Sequence, residues 1–400
     1  MKILYIHQYF VTPAEPGGTR SYWIARELIE HGHDVTMITS SSKYDADVSE
    51  KIVNGIKVIY IREDYSQNMS IVRRLKAFVS FMFKSSQQAL KQKEIDLVIS
   101  TSTPLTIGVP ALLMKLFKKV PYVFEVRDLW PEVPIQMGAI RNPILIWLTR
   151  YFEKLIYRQA QHVIALSPGM QEGVAKYIPI HNTSMIPNMS KKDEFWPREK
   201  NIELQNRLGL NAETFKVIHF GSLGIANGAE TILESAKLLC DDKTVEFLFV
   251  GGGANEQALI NECKKHRLNN VHFLGKFPMV ETSEIVNLCD LSIVSFKDIP
   301  ILYTNSPNKL FDTLSAGKPL IVNSAGWTKD LVEEYNCGFY VDPNCPNQLA
   351  EKIKYLQANK LLLQEMGEKS RWLAENIFDK SLLCKQFVQV IEGQRLINLT

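Results

Sequence analysis

Short apolar runs, each followed by a turn and a helical pattern, recur along this chain, and the pattern restarts half-way. Val217-Ile218-His219-Phe220 runs into Gly221-Ser222-Leu223-Gly224, as the opening run Ile3-Leu4-Tyr5-Ile6 runs into a loop ending in Gly17-Gly18-Thr19. Strands alternating with helices imply a parallel sheet covered on both faces. A chain of 400 residues exceeds one typical core, so the fold class is α/β with two doubly wound, Rossmann-like domains. Residues 188–200 carry Lys191, Lys192, Asp193, Glu194, Pro197, Arg198, Glu199 and Lys200, the composition of a linker. The expected division is therefore 1–187 and 188–380, with a helix in 381–400 crossing back to the first domain.

In the first half, strands are expected at 2–7, 35–38, 56–60, 97–99, 122–124 and 163–165, and a helix from Ser21 to His31 ended by Gly32. In the second half they are expected at 217–220, 247–250, 271–273, 291–294 and 320–322. Gly251-Gly252-Gly253 is not a dinucleotide fingerprint, because Glu256 stands where G-x-G-x-x-G needs glycine. It reads as a turn that lets its helix pack closely on its strand.

The chemistry concentrates in three places. In Ser306-Pro307-Asn308-Lys309-Leu310-Phe311-Asp312, Pro307 opens a short helix that Gly317 stops, just before the strand Leu320-Ile321-Val322. Lys309 and Asp312 lie three residues apart near the helix start, where free N–H groups favour anions. Two readings are open: a receptor for a sugar-nucleotide diphosphate, or a surface helix with an ordinary ion pair. Gly17-Gly18 before a helix either approaches a phosphate or only makes a turn. Glu125-Val126-Arg127-Asp128-Leu129-Trp130-Pro131-Glu132 crowds ionisable groups at a strand's C-terminal end, where open α/β sheets bind ligands. The alternative there is a local ion-pair network.

Composition narrows the partners. The six cysteines contain no C-x-x-C pair, which argues for buried thiols in a reducing cytosol rather than zinc or disulfides. No apolar run approaches the ~20 residues of a membrane span, and the opening one is too short for a signal peptide. The formal net charge is only +3, and no nucleic-acid partner is expected. It is unevenly spread: residues 1–187 hold 22 Lys+Arg against 16 Asp+Glu, and 188–400 hold 24 against 27. Residues 71–93 carry six basic side chains and no acidic one. Leu75, Phe78, Val79, Met82 and Phe83 form an apolar face flanked by Arg73, Arg74, Lys76 and Lys84. Such a helix either lies on an anionic membrane or packs on the sheet with a solvated basic side.

Six motifs in order carry a family resemblance: His7-Gln8-Tyr9-Phe10 with Gly18-Thr19-Arg20-Ser21-Tyr22, Ser102-Thr103-Pro104-Leu105-Thr106, the segment 124–132, Ala165-Leu166-Ser167-Pro168-Gly169, Gly221-Ser222-Leu223-Gly224, and 307–312 with Ala316-Gly317-Lys318-Pro319. With them the chain resembles the GT-B glycosyltransferases, two domains facing a central cleft. More narrowly it resembles the retaining group called glycosyltransferase family 4, and within it the bacterial L-fucosamine transferase-like branch of O-antigen and capsule biosynthesis.

The resemblance implies a UDP-sugar donor, carrying an N-acetylated hexosamine or deoxyhexosamine, and no other cofactor. It implies a glycan or polyprenyl-diphosphate-linked acceptor, and a cytoplasmic location peripheral to the inner face of the plasma membrane. It assigns the ribose hydroxyls to Asp312 and the uracil to the backbone around Lys276 and Phe277. The diphosphate falls to Lys309 and the N–H groups near Ser222 and Leu310, beside Ser306 and Asn308, with Gly17 and Gly18 on the opposite wall. Arg127 and Asp128 shape the acceptor side, with Arg20 and Glu132 among the substrate contacts; Lys309, Arg127 and Asp128 are the catalytic candidates. Two positions depart from the family pattern. Thr304 replaces the first of two Glu found in many relatives, and Ala226 and Asn227 stand where a basic pair is common. The one Asp-x-Asp motif, Asp45-Ala46-Asp47, sits in a polar loop, so a metal-independent reaction is expected. A non-catalytic nucleotide- or lipid-binding partner and a GT-B sugar-nucleotide epimerase are the competing classes.

Overall fold

A computed structural model describes residues 1–15, 17–64, 69 and 71–393. It divides into two compact units, Met1–Pro187 with the segment from Ser381, and Asn188–Lys380. Each is built on one sheet.

The first sheet has eight strands: β1 (Lys2–Ile6), β2 (Asp34–Ser41), β3 (Val48–Val53), β4 (Ile56–Arg62), β5 (Leu97–Thr101), β6 (Tyr122–Val126), β7 (His162–Ala165) and β8 (Thr183–Met185). Their spatial order is β3-β4-β2-β1-β5-β6-β7-β8, parallel except for β3 against β4. Every residue of β5 and β6 is buried, because helices cover a parallel sheet on both sides. Succession reverses direction between β1 and β5, so the loops after β1, β5 and β6 open at the topological switch point. Strand β3 is absent from the sequence reading. None of its residues Val-Ser-Glu-Lys-Ile-Val on the sheet edge is buried, and it pairs with β4 across Asn54-Gly55, both at positive φ. Asn-Gly is the turn signal that betrays such a hairpin. The C-terminal helix Lys380–Ile391 belongs to this unit, where Glu392 meets His33 Nε2 at 3.1 Å. The part of 381–400 beyond Gly393 lies outside the described residues.

The second sheet has six parallel strands, β9 (Phe215–Ser222), β10 (Val245–Gly252), β11 (Val271–Gly275), β12 (Leu291–Val294), β13 (Leu320–Val322) and β14 (Gly338–Tyr340), in the order β11-β10-β9-β12-β13-β14. Alternate residues feed two cores: Val217, Phe247 and Phe249 face one, and Ile218, Leu248 and Val250 the other. Its switch point lies between β9 and β12. The linker-like residues 188–200 are not loose: Asn188, Ser190, Lys191 and Phe195 are buried, and Ser190 bridges Asp379 in parallel register. The charges of this segment pair within the unit, Lys192 with Asp379 and Lys200 with Asp290.

Candidate active site

In the second unit, the helix Asn308–Ser315 begins at the C-terminal end of the sheet, between β12 and β13. Pro307 precedes it and no side chain caps it, which leaves the first N–H groups for a ligand. Lys309 is 8% exposed. Its Nζ lies 3.0 Å from Asn227 Oδ1 and 3.2 Å from His219 Nε2. Among the described residues it forms no ion pair, and burial pushes the amine down to about 7. The ordinary Lys309–Asp312 pair left open by the sequence is not made. Asp312 instead meets Lys191 Nζ at 3.1 Å, and burial raises its carboxyl against the pull of that lysine.

The glycines around this helix start are required by close approach. A Cβ on Gly251, at φ +130°, would stand 1.8 Å from Gly221 O, and one on Gly253 would stand 2.6 Å from the Leu223 carbonyl carbon. Leu223 N–H donates to Gly252 O, and Asn255 N–H to Leu223 O, each at 3.0 Å. The turn at 251–253 is thus glycine-rich because it lies against the 221–224 turn. This corrects the expectation that it serves helix-on-strand packing.

In the first unit, Arg127 and Asp128 follow β6 and are half-buried. Arg127 donates to His7 Nε2 at 3.3 Å, and His7 Nδ1 faces Ser21 Oγ at 2.8 Å. Burial and the neighbouring guanidinium hold His7 well below its ordinary value, so it is a neutral acceptor that aims Arg127. Asp128 accepts from Thr103 Oγ1 at 2.8 Å; burial raises its carboxyl, opposed by Thr103 and Arg127.

Two families match consecutive parts of the sequence: the glycosyl transferase 4-like domain over residues 17–189 and the glycosyl transferases group 1 over residues 200–372. The chain is a GT-B glycosyltransferase of these two domains. Among its relatives is WcaI of Escherichia coli K12, named for colanic acid biosynthesis, 22% identical over 395 residues, or 93% of this chain and 94% of WcaI. The fold matches HepE of Anabaena in complex with UDP-glucose, with a TM-score of 0.73, 20% identity, and coverage of 98% of this chain and 100% of HepE. It also matches WaaG, a glycosyltransferase involved in lipopolysaccharide biosynthesis, with a TM-score of 0.68, 16% identity, and coverage of 98% and 100%.

Several expected contacts of the glycosyltransferase are already spent inside the protein. Arg20 pairs with Glu125 at 2.8 Å and donates to the carbonyls of Pro187 and Ile186; at 3% exposure it has no face for a substrate. Glu132 pairs with Arg150 at 2.7 Å. Leu310 is fully buried, and its N–H donates to Pro307 O. Ser306 is held by Asn188 through its hydroxyl and its carbonyl. Inside the protein these four groups hold the loops that carry them.

Asn308 and Ser222 remain half-buried beside Lys309's helix start and the 221–224 turn. Lys276 is exposed with its stem against Gly252, and Phe277 packs on the core beneath β10. Gly17 and Gly18 lie in the first unit, in the loop before the helix Arg20–Glu30. His7 and Thr103 stood within the quoted motifs without a role of their own, and Lys191 and above all His219 were not among the candidates. A histidine inside the apolar run 217–220 was the available signal.

Proposed function

We propose that this glycosyltransferase moves an N-acetylated hexosamine or deoxyhexosamine from a UDP-sugar to a lipid-linked or oligosaccharide acceptor, with retention and without a metal ion, in surface polysaccharide assembly. The observation that carries the reading is Lys309, a buried lysine that forms no ion pair among the described residues, beside an uncapped helix start. A leaving diphosphate gathers negative charge in the transition state, and a preorganised cation with free N–H groups lowers that barrier most. Asp312 serves the ribose, the Lys276–Phe277 backbone the base, and Arg127 with Asp128 the acceptor. The sequence motifs support retention, and the names of WcaI and WaaG support a polysaccharide setting. Calorimetric titration with UDP, GDP and ADP, with and without Mg²⁺, tests the donor. Selective metal-free binding of UDP is expected, followed by release of UDP and growth of a glycan with an unchanged anomeric configuration. Isomerised donor would mean an epimerase, and binding of no nucleotide would mean a non-catalytic partner.

The same reading includes contact with an anionic membrane surface through the first unit. The helix Ile71–Lys91 buries Ala77, Phe78 and Phe81, yet leaves Val72, Leu75, Val79 and Phe83 exposed. It therefore packs on the protein and still presents a second apolar strip. That helix packs on Gly108–Leu113, which in turn packs on Pro143–Gln159. This last helix buries only Glu153, Ile156 and Tyr157 among its residues, while Ile144, Trp147, Leu148 and Tyr151 are 71%, 64%, 48% and 58% exposed. Exposed Arg73, Lys76, Lys118, Lys119, Arg141 and Arg158 accompany these apolar groups. Aromatic and aliphatic side chains among cations suit the headgroup region of anionic lipid. Among the described residues no helix is long and apolar enough to cross a membrane.

A further inference from the structure

The side chain of Lys309 leaves its helix and ends against β9 and the turn that follows it. Its stem passes Gly221, where a Cβ would stand 3.7 Å from Lys309 Cε. Its amine then meets Asn227 Oδ1 at 3.0 Å and His219 Nε2 at 3.2 Å.

Both acceptors are fixed by partners of their own. Ser295 Oγ donates to Asn227 O at 2.7 Å, and Lys297 N–H donates to Ala226 O at 2.9 Å. The turn lies so close on the loop after β12 that a Cβ on Gly228, at φ +56°, would stand 2.7 Å from the Phe296 carbonyl carbon. Asn323, buried just beyond β13, clamps Phe296 in turn, accepting from its N–H at 2.7 Å and donating to its carbonyl at 3.0 Å. Ser295 Oγ has given its proton to Asn227, so toward His219 Nδ1, 3.5 Å away, it can only accept. Ile293 O accepts at the same nitrogen, at 3.3 Å. His219 therefore carries its proton on Nδ1 and turns its Nε2 lone pair to Lys309.

An ammonium has three N–H bonds. Asn227 and His219 take two of them, and the last is left for an anion. The place of the charge is thus set by acceptors on β9 and its turn, while residue 309 delivers it. A lysine side chain exceeds an asparagine by about the length of one hydrogen bond. An ammonium carried at 227 would therefore end about where the Lys309 amine ends now.

We propose that His219 and Asn227 are positioning residues that fix one point for the cation meeting the donor diphosphate, and that the charge can be delivered to that point from position 227 as well as from 309. The inference deepens the donor-site reading above and rests on it. Exchanging the pair, Asn227→Lys with Lys309→Gln, keeps one ammonium and one carboxamide oxygen beside His219.

The test is calorimetric titration of the full chain with UDP. Lys309→Gln alone should weaken binding by about tenfold to a hundredfold, the worth of a charge-assisted hydrogen bond. The exchanged pair should return the Kd to within about threefold of the wild type. The Kd should also rise steeply between about 50 and 500 mM salt in the wild type and the exchanged pair, and only weakly in Lys309→Gln. His219→Leu should weaken binding about threefold to tenfold, and His219→Gln, which keeps an acceptor, should restore it. An exchanged pair that folds and binds no better than Lys309→Gln overturns the proposal and leaves the donor site standing. Where that pair fails to fold, a wild-type Kd in His219→Leu overturns it equally. Binding of no nucleotide by the wild type, or a wild-type Kd in Lys309→Gln, overturns both.

Discussion

Replacing Lys309 by Met removes the buried amine at nearly constant volume and separates its cost to the fold from its use. The fall from the ordinary 10.5 to about 7 corresponds to about 4–5 kcal/mol against the ammonium form at this site. Against that, Met leaves His219 Nε2 without a donor in a fully buried position, which costs about 1–3 kcal/mol. Asn227 is half-buried and can turn to water. The nucleotide-free variant should therefore be more stable than the wild type by about 2 kcal/mol at pH 6.5. Because the folded value lies below the unfolded one, the unfolded chain binds more protons between them, and wild-type stability rises with pH through that window. The advantage of Met should shrink to about zero by pH 9.5. Urea unfolding midpoints at the two pH values, at constant m, measure it. A variant less stable by more than about 1 kcal/mol at pH 6.5, or an offset identical at both pH values, would refute the reasoning.

Four further outcomes are expected. Gly251→Ala, with its Cβ 1.8 Å from Gly221 O and φ at +130°, should cost about 3 kcal/mol or more and abolish UDP binding, read by thermal unfolding and calorimetry. Asp312→Ala should raise the Kd for UDP at least tenfold, and an unchanged Kd would remove it from the ribose site. Burial pushes Glu153 up to about 7, above its unfolded value, so it costs stability increasingly as pH rises from 4.5 to 7. Glu153→Gln should therefore stabilise by about 2–3 kcal/mol at pH 8 and by nothing near pH 4.5, seen as a pH-dependent difference in urea midpoint. Trp147→Ser with Tyr151→Ser, and separately Arg73, Arg74 and Lys76→Ser, should each lower sedimentation with anionic vesicles; undiminished binding by both would leave these helices as ordinary surface.

The alternation of apolar runs and helices was enough to read two parallel sheets, because strands buried on both faces cannot hide in sequence. What escaped was held by partners distant in the chain. β3 is polar and half outside the core, so only its Asn54-Gly55 turn could announce it. Arg20 looked like a substrate ligand because its pairing with Glu125 spans the whole βαβ frame. Lys309 was legible as a cation at a helix start, but its neighbours were not: His219 sits on β9 and Asn227 in a turn, and only the sheet order brings them together. Asn227 stands where the resemblance expects a basic residue, and what it does there shows only in the fold, where its Oδ1 lies 3.0 Å from the Lys309 amine.

The bridge between Ser190 and Asp379 fastens the two ends of the second unit to each other, with Ser190 N–H donating to Phe378 O at 2.7 Å and Lys380 N–H to Ser190 O at 3.2 Å. Topologically, the stretch Asn188–Lys380 is a cassette inserted into the first unit, and the host experiences it as a short loop whatever its length. Closing that loop carries little of the entropy that its residue count would suggest. The host and the cassette are then free to diverge at different rates, and a gene encoding 188–380 alone, or a host closed by a few residues in its place, is a natural starting point for exchanging second units among such chains.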